Sequence, residues 1–118
     1  MKRDMDLIRK ILLVTEAEPQ RKIPYIEGYT SEQIGHHVYL MMQAGLIEGA
    51  DATTYQDLYN IAIPDQLTWQ GHDFLDACRN ESVWNKAKEK LKSIGGDVPL
   101  SVVQSLLIEI ISKQVMGI

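Results

Sequence analysis

Three histidines, one cysteine and a pair of aspartates are the side chains of this 118-residue chain whose types and spacing could support chemistry. Imidazole and thiolate are ordinary zinc ligands. His36 and His37 are adjacent, however, and neighbours on a helix point about 100° apart, which does not suit one shared ion. His72 is predicted in the first turn of a separate helix. Cys78 shares an apolar side with Phe74 and Leu75, where surrounding hydrocarbon disfavours the thiolate and no base is spaced to activate it. Asp73 and Asp76 stand one helical turn apart and could share a proton or a cation, but no third group converges on them, so they read as helix-surface charges. Gly45 and the pair Gly95 and Gly96 punctuate helix ends instead of cradling a phosphate. The expectation is no catalytic residue, no metal site and no cofactor, hence a protein that binds.

The residues best placed for binding lie on a predicted helix at 31–44. Ile34, Val38, Met41 and Met42 point one way on its wheel, which leaves Glu32, His36, Tyr39 and Gln43 opposite, with Gln33 at the border. Gln33 and Gln43 could pair with adenine edges, and His36 and Tyr39 could reach bases or phosphates. The candidate nucleic-acid or partner surface is therefore Gln33, His36, Tyr39 and Gln43. It offers no Arg for guanine, and Glu32 would repel the phosphate backbone.

The elements that position this face follow from periodicity and punctuation. Met5, Leu7, Ile8, Ile11, Leu12 and Val14 recur every three or four residues, with Asp4 and Asp6 at the positive end, so helix one spans 4–16. Pro19 ends it. Residues 23–26, bounded by Pro24 and Gly28, read as a short edge strand. The eleven residues 19–29 leave no room for another regular helix. Thr30 with Gln33 forms a capping box that opens the helix at 31–44. Gly45 suits a left-handed turn into a strand at 46–48, followed by a long polar tip at 49–56. A second strand at 59–63 is expected to stop at Pro64. Thr68 caps a helix at 69–79. Another runs from Asn80 or Ser82 to 94, with Trp84, Ala87, Leu91 and Ile94 inward and Lys86, Lys88, Lys90 and Lys92 on its wet side; Gly95 and Gly96 stop it. Ser101 and Gln104 form a second capping box before a mostly apolar helix. Trp69, Phe74 and Trp84 are expected in the core.

Charge is distributed unevenly. The formal net charge is -4, yet residues 23–78 contain no Lys or Arg and carry eight acids: Glu27, Glu32, Glu48, Asp51, Asp57, Asp65, Asp73 and Asp76. A DNA-contacting hairpin needs cations to displace counterions, and this one has Asp51 and Asp57. Lys2, Arg3, Arg21, Lys22 and the lysines at 86–92 could form a basic patch elsewhere. With a single Cys and no apolar run of membrane length, the chain reads as soluble and cytoplasmic, with no membrane partner. One domain, 1–118, is expected, built as a core at 1–79 and a helical extension at 80–118.

Helix, short strand, helix, Ala44-Gly-Leu-Ile47, hairpin, then Leu67-Thr-Trp-Gln-Gly-His-Asp-Phe-Leu75 is the element order of a winged helix. The expected class is α+β, mainly helical: a winged-helix-like domain with two additional C-terminal helices. Through MKRDMDLIRKIL at 1–12, AGLIEG at 44–49 and LTWQGHDFLDACRNESVWNK at 67–86, nearly the whole chain also resembles a family of small bacterial and phage proteins classed as a domain of unknown function. That resemblance implies a winged-helix-like fold, frequent occurrence in prophage or mobile regions, and no assigned reaction.

Two functions from different classes follow as expectations. One is a DNA-binding transcriptional regulator that uses the exposed face of the helix at 31–44 on double-stranded DNA. The other is a protein-protein interaction module that keeps the fold without phosphate affinity. The final helix is apolar over more than one stripe, so a homodimer through Val103, Leu106, Leu107, Ile110 and Ile111 is a further expectation.

Overall fold

The computed structural model describes residues 1–95 and 98–117 and holds, among them, five helices and one two-stranded antiparallel sheet. The class is α+β and mainly helical. In chain order the elements are α1 (Met5–Ala17), α2 (Ser31–Gln43), β1 (Ile47–Asp51), β2 (Ala62–Leu67), α3 (Trp69–Cys78), α4 (Glu81–Ile94) and α5 (Leu100–Met116). They fall into two compact units, Met1–His72 and Asp73–Ile118, and the division lies inside α3. Among the described residues no helix is long and apolar enough to cross a membrane.

In the first unit α1 starts where the Asp4 carboxylate accepts the Leu7 N–H at 3.1 Å, satisfying one of the orphan donors of a helix N-terminus. Leu7, Ile8, Ile11 and Leu12 are buried where α1 packs on α2 and β2. The Thr30 box closes as expected: Thr30 Oγ1 accepts the Gln33 N–H at 3.1 Å, and Gln33 Oε1 accepts the Thr30 N–H at 2.8 Å. From α2, Ile34, Val38 and Met41 complete the core against α1 and the hairpin. Each such side chain contributes about 1.5–3 kcal/mol relative to its exposure.

Residues 20–30 contain no helix, in line with their short span, but neither do residues 23–26 form an edge strand. Pro24 has no N–H to give a ladder, and its ring is buried instead. The chain then reverses through a turn in which the Tyr29 N–H donates to the Ile26 carbonyl at 3.2 Å.

The hairpin forms with its second strand displaced from the expected place. Asp51 pairs with Ala62 and Ile47 with Leu67, so Pro64 lies inside β2, opposite Gly49. The register is irregular between Glu48 and Gly49, and a proline is tolerated beside such a bulge because no ladder donor is required there. Residues 49–51 accordingly belong to β1, and the tip is 52–61.

Two glycines shape the join to α3. Gly45 has φ +76°, a left-handed backbone that makes the turn out of α2. Gly71 lies so close to Leu46 that a Cβ would collide with the Leu46 carbonyl oxygen. Thr68 ties the same corner, donating its hydroxyl to the Gly45 carbonyl and accepting the Gly71 N–H at 3.0 Å. Trp69, expected in the core, is 80% exposed, because the cap at Thr68 turns the first residue of α3 outward.

In the second unit Phe74, Leu75 and Cys78 are buried. Asn80 caps α4, its side chain accepting the Val83 N–H at 3.0 Å. Val83, Trp84 and Ala87 are buried and Leu91 is half-buried, but Ile94 is exposed in the last turn, a correction to the expected stripe. The helix ends at Gly95 as expected; Gly96 lies outside the described residues. The Ser101 capping box does not form. Pro99 occupies the cap position of α5 without a side-chain hydrogen bond, and with its fixed φ (-56°) the helix already starts two residues earlier. α5 packs on α4 through Val103, Leu107 and Ile110.

Candidate functional site

The face of α2 expected to meet DNA or a partner is largely occupied by the chain itself. Gln33 is committed to the Thr30 box. His36 Nδ1–H donates to the Asn60 carbonyl at 2.9 Å, and its ring lies 5.0 Å from that of Tyr59 and stacks on Tyr39 at 6.4 Å. Both neighbours from the hairpin come from the tip, which folds back over the helix. Gln33, His36 and Tyr39 are half-buried, and of the four only Gln43, at the end of α2, is exposed. The structure thus joins His36 and Tyr39 in one aromatic cluster and leaves Gln33 and Gln43 outside it. Sequence reasoning missed Tyr59 and Asn60 as the cover, since nothing local marks a loop as returning to a helix twenty-odd residues earlier.

The tip is ordered by its own acids. Asp51 accepts the Thr53 N–H at 2.9 Å, and Asp57 accepts both the Thr54 N–H at 2.8 Å and the Thr54 hydroxyl at 3.1 Å. Hydrogen bonds from Thr53 hold the Asp51 carboxyl below its ordinary range. Thr53 Oγ1 also bridges the neck, accepting the Ile61 N–H at 2.9 Å. At the summit Tyr55 and Leu58 are fully exposed. Two large apolar side chains are thereby presented on a stapled acidic loop.

Recesses border the first unit. One, near 480 Å³, lies at the start of α1 and is lined by Lys2, Arg3, Tyr29, Gln33 and His37 among others. Lys2 and Arg3 are thus brought together, while Arg21 and Lys22 are exposed outside this lining. His37, adjacent to His36 in sequence, is buried and has both nitrogens engaged: Nδ1–H donates to the Gln33 carbonyl at 2.7 Å, and Nε2 accepts the Asp4 N–H at 2.9 Å. Burial pushes its pKa down, partly opposed by the Gln33 carbonyl and by Asp4. Burial and the neighbouring Asp4 carboxylate push the Tyr29 hydroxyl up.

Another recess, about 210 Å³, lies between the end of α1, β2 and the first turn of α3. Thr15, Glu16, Glu18, Asp65, Gln66 and His72 line it. His72 Nδ1 stands 3.8 Å from Glu16 Oε2, and Gln66 donates to Glu48 at 2.7 Å. Thr15 is 4% exposed, and its hydroxyl has no hydrogen-bond partner. A signal for it existed in the sequence: Thr15 continues the spacing of Ile8, Ile11 and Leu12 and so is a polar residue at a core position of α1.

In the second unit Val103, Leu107 and Ile110, named above as dimer-forming, are spent in the interior of the α4–α5 pair. Leu106 and Ile111 are half-buried, and the large apolar residues exposed on α5 are Val102, Ile108, Val115 and Met116. Lys86, Lys90 and Lys113 gather around a groove near 540 Å³ floored by Ile110. Lys113 is paired with Glu109 at 3.1 Å. Asp73 and Asp76 are both exposed, and Asp76 pairs with Arg79 at 3.1 Å. Among the described residues no three His, Cys, Asp or Glu side chains stand close enough to hold a metal ion.

No solved structure matches this chain. An uncharacterized protein of Haemophilus influenzae (strain ATCC 51907 / DSM 11121 / KW20 / Rd) is 38% identical over 117 residues, covering 96% of this chain and 98% of the relative. The family model described as "Hypothetical protein (DUF2513)" matches residues 2–97. With most of its length inside that match, the chain belongs to the DUF2513 family of hypothetical proteins.

Proposed function

We propose that the unit Met1–His72 is a winged-helix-type scaffold that works by binding a protein with a basic surface, and neither reads DNA nor catalyses a reaction. The order α1, α2, hairpin and α3 supports the scaffold. The observation that carries the binding mode is the hairpin tip, where Tyr55 and Leu58 stand exposed on a loop that also carries Asp51 and Asp57. Tyrosine is among the residue types enriched at the positions that dominate protein interfaces. The same acids oppose phosphate, and one polar atom of each of two candidate readers, Gln33 Oε1 and His36 Nδ1, is already bonded within the chain.

The test pairs two measurements. A labelled duplex is titrated at about 50 mM and about 200 mM salt, where a DNA reader loses affinity steeply and this protein is expected to show no binding at either. A photo-crosslinker at position 55 is then expected to trap a protein partner, and Tyr55→Ser with Leu58→Ser to abolish its capture. Salt-sensitive duplex binding that Gln43→Ala weakens would restore the regulator reading.

Self-association is a second reading, favoured by one observation in the second unit. Ile108 and Val115 are exposed seven residues apart on α5, with half-buried Ile111 between them, which makes an apolar row beside the buried one. Light scattering at high micromolar concentration tests it. A dimer mass that Ile108→Lys reduces to a monomer supports it, and a monomer mass throughout removes it.

A further inference from the structure

We propose that the basic surface met by the hairpin tip is the α4–α5 groove of a second copy of this chain, so that molecules associate tip to groove; this names the partner in the tip reading given above and rests on that reading. Lys86 and Lys90 stand one turn apart on α4 and are exposed. With Lys113 of α5 they line a recess of about 540 Å³ floored by Ile110. That volume lies within the roughly 300–1,000 Å³ of clefts that enclose compact guests. Lysine stems lay hydrocarbon along such a wall while their ammonium groups stay in water, so the groove is apolar inside and positive at its rim. Glu109 reports that field, its carboxyl held below the ordinary range by the hydrogen bond from Lys113, by the charge of Lys113 and by that of Lys90. Lys113 is paired with Glu109 at 3.1 Å, which makes Lys86 and Lys90 the charges offered to a guest.

The chemistry of the lining selects the guest, which must be apolar at its summit and acidic beside it. The tip answers that description. Tyr55 and Leu58 are exposed, and Asp51 and Asp57 shape the loop through hydrogen bonds from Thr53 and Thr54 that leave their charge in place. Glu89, Ser93 and Gln114 also line the groove and give the Tyr55 hydroxyl acceptors. The charge map chooses the pairing. Residues 23–78 hold eight acids and no Lys or Arg, whereas residues 79–118 hold six basic residues against four acids. A tip is therefore drawn to the groove of another molecule and repelled by another tip. Because the two surfaces differ, the contact is heterologous, and an assembly that does not close into a ring keeps one tip and one groove unfilled at its ends.

The experiment follows the full chain by sedimentation equilibrium at high micromolar concentration, in about 50 mM and about 500 mM salt. The wild type is expected to exceed the monomer mass at the lower salt and to fall towards it at the higher. Two double variants, Tyr55→Ser with Leu58→Ser in the tip and Lys86→Glu with Lys90→Glu in the groove, are each expected to weaken self-association roughly tenfold or more. All four positions are exposed, so wild-type melting midpoints are expected; Leu58→Ser and Lys90→Glu alone replace any double variant that melts early. Mixing the two variants is the decisive step, because each supplies the surface that the other lacks. The mixture is expected to form a one-to-one heterodimer and to stop at the mass of two chains. Ile108→Lys, on the outer row of α5, is expected to leave the association unchanged. A wild type that is monomeric throughout, association that survives either double variant, variants that stay apart on mixing, or an assembly lost with Ile108→Lys would overturn the proposal. If position 55 captures a different protein while the purified chain stays monomeric, the tip reading stands and the groove pairing falls. If the chain associates regardless of its tip and position 55 captures nothing, both fall.

Discussion

The backbone N–H of Asp4 donates to Nε2 of His37 across 2.9 Å, so the residue that caps α1 is itself held by a side chain from the middle of α2. The second nitrogen of the imidazole donates to the Gln33 carbonyl, which fixes the neutral tautomer with its proton on Nδ1. A proton added at Nε2 would face the Asp4 N–H and break the link.

Stability is therefore expected to depend on the charge of His37. Its folded-state pKa lies below the ordinary 6.5, chiefly through burial, so the unfolded chain takes up the proton first as pH falls. The contribution is fully present above about pH 6.5 and is lost as pH falls from there towards the folded-state value, with a slope of at most about 1.4 kcal/mol per pH unit. Urea unfolding at about pH 8 and about pH 5 measures it. His37→Leu should flatten this part of the profile and cost about 1–3 kcal/mol at the higher pH, since Asp4 loses its acceptor. An identical slope in the variant would assign the pH dependence elsewhere.

Gly71→Ala should be among the most damaging small substitutions in the first unit. The added methyl meets the Leu46 carbonyl, and backbone cannot yield as a flexible side chain does. A loss of about 2 kcal/mol or more is expected, read as a lowered denaturation midpoint. A wild-type midpoint would mean that α3 and the chain at Leu46 stand further apart than described.

Helix caps separate two sites that look alike in sequence. Asn80→Ala removes a bonded cap of α4 and should cost about 1 kcal/mol. Ser101→Ala should stay within about 0.5 kcal/mol of wild type, because Pro99 and not Ser101 holds the cap of α5. Equal costs for the two would restore the Ser101 box.

The double variant Tyr55→Ser, Leu58→Ser should unfold at the wild-type midpoint, within about 0.5 kcal/mol, because both side chains are solvated. Circular dichroism melting is sufficient to check it. A marked loss would show that the tip supports the fold instead of serving recognition.

Much of the fold was legible where one local signal agreed with the next. The stripe of α1, the Thr30 box, the turn at Gly45 and the cap at Thr68 each carried its own physics, and each formed. The errors share a cause, which is that another residue, near or far in the chain, outweighed the preference of the one that was read. Pro64 is a strand breaker by itself, but opposite Gly49 at a bulge its missing N–H is not needed. Ser101 carries a capping pattern, but Pro99 starts the helix earlier. Trp69 is apolar enough for a core, yet the turn at Thr68 directs it to solvent. For the candidate site, the wheel of α2 placed His36 and Tyr39 together correctly but could not reveal Tyr59 and Asn60 lying across them. The cleft around Thr15 joins residues some fifty positions apart, beyond the reach of any short motif.

A two-stranded ribbon has no interior strand, so β1 and β2 each have an edge that no other strand pairs. Pro64, buried within β2 and next to the irregular step at Glu48, leaves a missing donor and a bent rail where a growing fibril would need an unbroken one. The residue expected to end the strand thus sits within it and, lacking an N–H, makes β2 a poorer template for pairing with another strand.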